Sequence, residues 1–140
     1  MADIFVIAGG GKKIGKEIRE LPCTISEPGF FYTSKDLTSL YGAHGITVAS
    51  NNVTLDLLGF SIIGPPEVVI NGPYYHGIYV NQGISNLEVR NGIIRNFPGF
   101  GFYSGYLESK NIRIKSINSA DHLLGGIELA SKAGLIQNCI

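Results

Sequence analysis

The sequence predicts an all-β chain built as a solenoid of parallel strands, and three observations predict it. Short runs alternate apolar and polar residues with a period of two, which is a strand signal. Ile46 and Val48 flank Thr47, and Val53, Leu55 and Leu57 alternate with Thr54 and Asp56. The same pair of runs then recurs. Gly77-Ile78-Tyr79-Val80 precedes Asn86-Leu87-Glu88-Val89, Gly101-Phe102-Tyr103-Ser104 precedes Asn111-Ile112-Arg113-Ile114, and Gly126-Ile127-Glu128-Leu129 precedes Gly134-Leu135-Ile136-Gln137-Asn138. The leading glycines Gly45, Gly77, Gly101 and Gly126 lie 32, 24 and 25 residues apart. A repeat of that length describes stacked units, each strand pairing with its counterpart about 4.8 Å away. Composition agrees: charged residues are 16%, and 19 of 140 residues are glycine, which suits apolar inward positions and many turns.

Residues 1–20 open with an apolar run, Asp3 to Ala8, followed by three glycines. Gly10 to Lys16 has the phosphate-loop spacing G-x-x-x-x-G-K, but Glu17 stands where a hydroxyl would ligate magnesium, and a carboxylate there repels phosphate. The stretch is read as a basic turn ahead of a cap, and a nucleotide site is rejected. Residues 21–44 form the opening coil. Pro28-Gly29 marks a turn, and Phe30, Phe31 and Tyr32 supply apolar cover for the first open end. Ser34 to Gly42 offers a capped helix with Leu37, Leu40 and Tyr41 on one face; turn and strand are preferred.

From Gly45 the register can be written out. Inward columns are Ile46, Ile78, Phe102, Ile127, and Val48, Val80, Ser104, Leu129. The second strand adds Val53, Leu87, Ile112, and Leu55, Val89, Ile114, Ile136. Single units cannot close a core, so stability is collective. Asn91, Ser116 and Asn138 fall at one point after the second strand and are read as a turn ladder with stacked amides. Pro65 to His76 lengthens its unit and is read as an excursion from one corner, of the kind that often carries a binding face. The organisation is therefore 1–44 cap and opening coil, 45–140 stacked coils.

Eleven basic and eleven acidic residues give zero formal net charge. That removes the bulk electrostatic argument for nucleic acid or an anionic membrane, and no apolar run approaches the roughly 18 residues of a membrane span. Neither partner is expected. Met1 to Ala8 is too short for a signal peptide and has no basic n-region, so the compartment stays open. Cys23 and Cys139 are separated by several coils, beyond disulfide reach, and are expected as free thiols.

Asn-Val-Thr-Leu-Asp-Leu at 52–57, Gly59-Phe60, Gly77-Ile78 and Val89-Arg90-Asn91-Gly92 resemble right-handed parallel β-helix proteins of the pectate-lyase-like superfamily. More narrowly they are similar to bacterial β-helix-repeat proteins of unassigned function, whose opening segment is similar to Leu21-Pro22-Cys23-Thr24-Ile25 with Pro28 to Tyr32. The resemblance covers about residues 20–140 and implies a right-handed parallel β-helix with a short N-terminal cap, on an extracellular or cell-surface protein. It does not imply one activity, because the fold hosts lyases, hydrolases, adhesins and scaffolds.

Candidate chemistry lies on the outward columns. Thr47, Tyr79, Tyr103 and Glu128 share one, with Tyr74 and Tyr75 in the excursion near by. Such aromatic rows stack on sugar faces, or pack on one another across strands. Thr54, Glu88, Arg113 and Asp56, Arg90, Lys115, Gln137 form two more columns. A surplus of cation at Arg90, Arg113 and Lys115 suits an acidic polysaccharide; the plainer reading, preferred, is a solvated charge ladder. Arg113-Ile114-Lys115 resembles the Arg-Ile-Lys element of polygalacturonases, but no Asp-Asp occurs and His44-Gly45 and His76-Gly77 lack the preceding glycine. Inverting hydrolysis then has no acid and base. Asp56, Glu88, Asp121 and Glu128 are too dispersed for calcium. His44 and His76 make a neighbouring pair without the third ligand a metal site needs.

No catalytic residue, metal or cofactor is assigned. The expected function is a non-catalytic binding or structural module with polysaccharide as its partner. The alternative is the N-terminal part of a polysaccharide lyase or glycoside hydrolase with its catalytic residues outside this chain. The last repeat stops just past its second strand without a polar cap, which predicts continuation or self-association through that end.

Overall fold

The structure, a computed structural model, describes residues 2–6, 13–66 and 72–140, with side chains from Gly15 onward. Among the described residues there are fourteen strands and no helix. They are β1 (Ala2–Val6), β2 (Lys13–Ile18), β3 (Cys23–Ile25), β4 (Gly29–Thr33), β5 (Leu37–Thr38), β6 (Ile46–Val48), β7 (Val53–Asp56), β8 (Ser61–Ile63), β9 (Ile78–Val80), β10 (Ser85–Arg95), β11 (Phe100–Ser104), β12 (Lys110–Ala120), β13 (Gly125–Leu129) and β14 (Lys132–Gln137). Most of the phosphate-loop-like spacing and the tip of the excursion (residues 7–12 and 67–71) lie outside the described residues.

The strands form two sheets. A five-stranded sheet runs β13-β11-β9-β6-β3, and a nine-stranded sheet runs β1-β2-β4-β7-β10-β12-β14, with β8 beside β10 and β5 beside β8. The β1–β2 pair is antiparallel; the other pairs are parallel, each strand lying beside its counterpart one repeat on. The predicted columns are the observed ones. Ile46 pairs with Ile78 and Ile78 with Phe102, while Leu55, Val89, Ile114 and Ile136 follow one another across β7, β10, β12 and β14. Period-two alternation fixes this register because a one-residue slip would turn every apolar side chain outward. Residues 23–38 already pair with 46–63, so the opening coil carries the full repeat. Ser34 to Gly42 holds the short strand β5 and turns.

The core lies between the sheets. Ile46, Val48, Leu55, Leu57, Ile78, Val80, Leu87, Val89, Phe102, Ile112 and Ile114 have no solvent exposure. Each such side chain contributes roughly 1.5–3 kcal/mol by burial. Phe31, in register with Leu55, is buried in the stack itself, while Phe30 and Tyr32 lie on the outer face beside Thr54 and Asp56, Tyr32 buried there all the same. Both cysteines are free.

Two local features were placed differently by the sequence. The repeat glycines are required by close approach: a Cβ at Gly45 would meet the carbonyl oxygen of Gly77 at 2.6 Å, one at Gly77 that of Gly101 at 2.5 Å, and one at Gly101 that of Gly126 at 2.8 Å. Backbone meets backbone there, with the Ser119 hydroxyl crowding Gly101 further, so only hydrogen fits. Asn91, Ser116 and Asn138 do take left-handed backbone angles, with φ of 60°, 54° and 53°. The stacked amides, however, sit in a second left-handed row, at Asn52, Asn86 and Asn111, where the second strand begins. Asn86 Nδ2 donates to Asn52 Oδ1 at 2.9 Å, and Asn111 Nδ2 donates to Asn86 Oδ1 at 3.0 Å. Asn91 instead donates to the Asp56 carboxylate.

Candidate functional site

The outer side of the five-stranded sheet carries an aromatic cluster. Tyr79 and Tyr103 lie in register on β9 and β11, with ring centroids 5.9 Å apart and planes 7° from parallel. His44 stacks on Tyr79 at 4.3 Å, and His76 stacks on Tyr103 at 4.5 Å. Tyr75 meets His44 edge-on, and Phe100 leans on His76 and Tyr103. Tyr106 turns its edge to Tyr79, and the two hydroxyls share a 2.7 Å hydrogen bond. That bond is the largest cause of the rise of the Tyr79 pKa to about 12, with burial next and the neighbouring Tyr106 and Tyr103 adding to it. The structure thus brings Tyr75, Tyr79 and Tyr103 together and adds His44, His76, Phe100 and Tyr106. Tyr74 is exposed. Glu128 pairs with Tyr103 from β13.

The rings cover one another's faces. Tyr79 has His44 on it and Tyr103 beside it, so what these tyrosines offer outward is chiefly ring edge and hydroxyl. Sugar stacking uses an open face; hydrogen bonding to sugar hydroxyls uses the edge.

The imidazoles hold the corner that leads into each first strand. His44 Nδ1 accepts the His76 backbone N–H at 2.9 Å, and His76 Nδ1 accepts the Phe100 N–H at 2.8 Å. His122 accepts the Phe97 N–H at 3.1 Å, while its Nε2 reaches the Ile94 carbonyl and Ser119 Oγ. Burial lowers all three pKa values, that of His76 to about 4 with the neighbouring His44 as second cause.

The second candidate face is the charged column of the nine-stranded sheet. Asp56 and Glu88 point outward as expected, yet they are buried, at 5% and 6% exposure. The cations fold over them, their aliphatic stems covering the carboxylates. Arg90 bonds Asp56 at 2.9 Å and Glu88 at 2.8 Å, and lies 5.8 Å from the centroid of the Phe30 ring. Arg113 and Lys115 share the other Glu88 oxygen at 3.4 and 3.3 Å. Burial raises the Glu88 pKa, but the Arg90 and Lys115 hydrogen bonds and the Lys115 and Arg113 charges outweigh it, and the net shift is downward. The carboxylate therefore stays ionised well into acid, which is unsuited to a proton donor. Arg90 and Lys115, like charges in register on neighbouring strands, are reconciled by Glu88, which binds both.

The sequence reading missed Tyr106, Phe100 and the histidines' work as backbone acceptors. The asparagine ladder had a visible signal, since Asn52, Asn86 and Asn111 each stand directly before the second alternating run of their repeat. Among the described residues no group of three His, Cys, Asp or Glu side chains is placed to hold a metal ion. No family model matches the chain, and no curated protein or solved structure matches it either.

Proposed function

We propose that the chain is a right-handed parallel β-helix, similar to the pectate-lyase-like superfamily, serving as a non-catalytic structural and carbohydrate-contact module of an extracellular or surface protein. The observation that supports this best is how each outward face is satisfied. Tyrosines stack on histidines, and cations close over ionised carboxylates. Side chains committed in this way brace neighbouring repeats and leave hydroxyls and guanidinium edges for polar contact, without an acid and base poised across a substrate. Carbohydrate is the ligand class that fits a row of tyrosine edges at strand spacing. An acidic polysaccharide is the less favoured choice, because Arg90 is already engaged three ways.

A polysaccharide array tests the reading. Binding that Tyr79→Ala with Tyr103→Ala abolishes, while the far-ultraviolet spectrum and melt remain folded, is the expected result. No binding by the parent to any glycan would remove the carbohydrate assignment. A polyuronate-only signal that weakens steeply with salt would move it to the cationic column.

For the 140-residue chain by itself, the edge formed by β13 and β14 is the proposed self-association surface. Ile136 continues the column of Leu55, Val89 and Ile114 but is 49% exposed, and Ile140 is 88% exposed. Open parallel edges beside apolar side chains pair with other strands. Light scattering across a concentration series should show association that Ile136→Lys suppresses; a monomer at every concentration rejects it.

A further inference from the structure

We propose that His44 and His76 form an acid-operated latch, protonation at Nδ1 releasing the corner that ties residues 72–77 and 99–100 to their neighbouring repeats. The geometry is that of two acceptors in series. His44 Nδ1 takes the His76 N–H, and His76 Nδ1 takes the Phe100 N–H, at 2.9 and 2.8 Å. A ring nitrogen that accepts carries no proton, so both rings are the neutral tautomer with hydrogen on Nε2. The two imidazoles stack at 5.3 Å with planes 6° apart. Protonating Nδ1 sets a donor against a donor at each bond, and it places two cations face to face.

The surroundings do not compensate. His44 faces Tyr75, Tyr79 and His76; His76 faces Tyr79, Tyr103, Phe100 and His44. Thr47 on β6 and Glu128 on β13 complete the outer column, and Glu128 lies in register with Tyr103, one repeat beyond Tyr79. Among the described residues no carboxylate acts on either ring. An imidazolium is attracted to a tyrosine face, but that attraction supplies no acceptor for the stranded N–H. Burial lowers both pKa values, that of His76 to about 4.

The sign follows from linkage. A released histidine titrates near 6.5, so the open corner binds protons first as pH falls. The bonds stabilise fully above about 6.5 and are lost as pH falls through the lowered values, about 4 for His76. The opening equilibrium rises by up to about tenfold per pH unit for each imidazole. Opening takes His44 off Tyr79 and His76 off Tyr103, so acid uncovers the tyrosine faces.

The test is a pH titration of the ¹⁵N-labelled chain from 7.5 to 4, reading imidazole nitrogens and backbone amides together. Expected are Nε2–H tautomers at neutral pH, ring midpoints below 6.5, and His76 and Phe100 amides that shift with the rings while Leu87 and Val89 hold still. His76→Gln supplies an acceptor that does not titrate and should flatten the Phe100 response; if it fails to fold, the parent titration decides alone. An Nδ1–H tautomer, a midpoint at or above 6.5, unmoved His76 and Phe100 amides, or global unfolding at the same midpoint would each overturn the latch.

Discussion

Glu88→Gln removes the hub under the outer face of the nine-stranded sheet. The carboxylate takes Arg90 at 2.8 Å on one oxygen and Arg113 and Lys115 at 3.4 and 3.3 Å on the other. Unit charges about 4 Å apart near a protein surface attract by about 4 kcal/mol before any offset. The cation side chains are 33–42% exposed, so water screens most of that, and burying the carboxylate costs part of the rest. A net of about 2 kcal/mol remains for the hub. Glutamine keeps the shape and one acceptor but leaves Arg113 and Lys115 without a counter-charge. The unfolding midpoint should fall by about 4–8 °C at pH 7 in low salt. Added salt, or a second change Arg113→Gln, should recover part of the loss by easing repulsion. The pH response follows from the lowered Glu88 pKa. Its stabilisation is complete above the unfolded carboxyl's pKa, about 4.3, and is lost as pH falls through the lower folded value. The parent should therefore lose its advantage over the variant in acid. Circular dichroism melts over a salt and pH grid decide it. Equal midpoints at pH 7 and low salt, or a gap that widens with salt, would refute the reasoning.

Three further outcomes are expected. Val89→Asp, or Leu55→Asp, puts a carboxylate into a column with no solvent exposure; it should cost several kcal/mol, and a melt within a degree or two of the parent would contradict the inward register. Ser104→Ala should stabilise by about 1 kcal/mol, because the Ser104 hydroxyl is buried without a hydrogen-bond partner between Val80 and Leu129 repeats; denaturant melts check it, and a destabilised variant would show that the hydroxyl is satisfied. Asn86→Ala breaks two ladder bonds at a residue with φ of 61° and should cost about 2 kcal/mol, while Asn86→Gly should recover roughly the backbone share; equal losses for the two variants would locate the whole effect in the side chain.

What was legible in the sequence was whatever repeats. Leu55, Val89 and Ile114 were placed correctly because alternation sets the face and the repeat sets the neighbour. The outward tyrosines followed from the same two facts. What escaped depends on atoms meeting across repeats. Asp56 and Glu88 occupy polar, outward positions, and nothing in a one-dimensional pattern says that Arg90, Arg113 and Lys115 will close over them. Nor does it say that an imidazole nitrogen will take an amide hydrogen 24 or 32 residues away. The glycines were noticed for their spacing and for the many turns their number suits; the cause of the repeat glycines, a carbonyl oxygen of the next repeat, is invisible until the units are stacked.

Those glycines also govern how such a chain can lengthen. A contact in which the backbone of one unit rests on the backbone of the next leaves no slack along the first strand, so an inserted residue there would throw every later unit out of step. Gly64, at a corner, is met as closely by the carbonyl of Asn96, so the freedom lies in the residues that follow it. Between Gly64 and His76 the chain takes its longer path, and Gly77 still arrives where Gly45 requires it. Variation in length therefore has two permitted forms, a whole unit added to the stack or residues paid out at a corner. The unequal spacing of 32, 24 and 25 residues records the second.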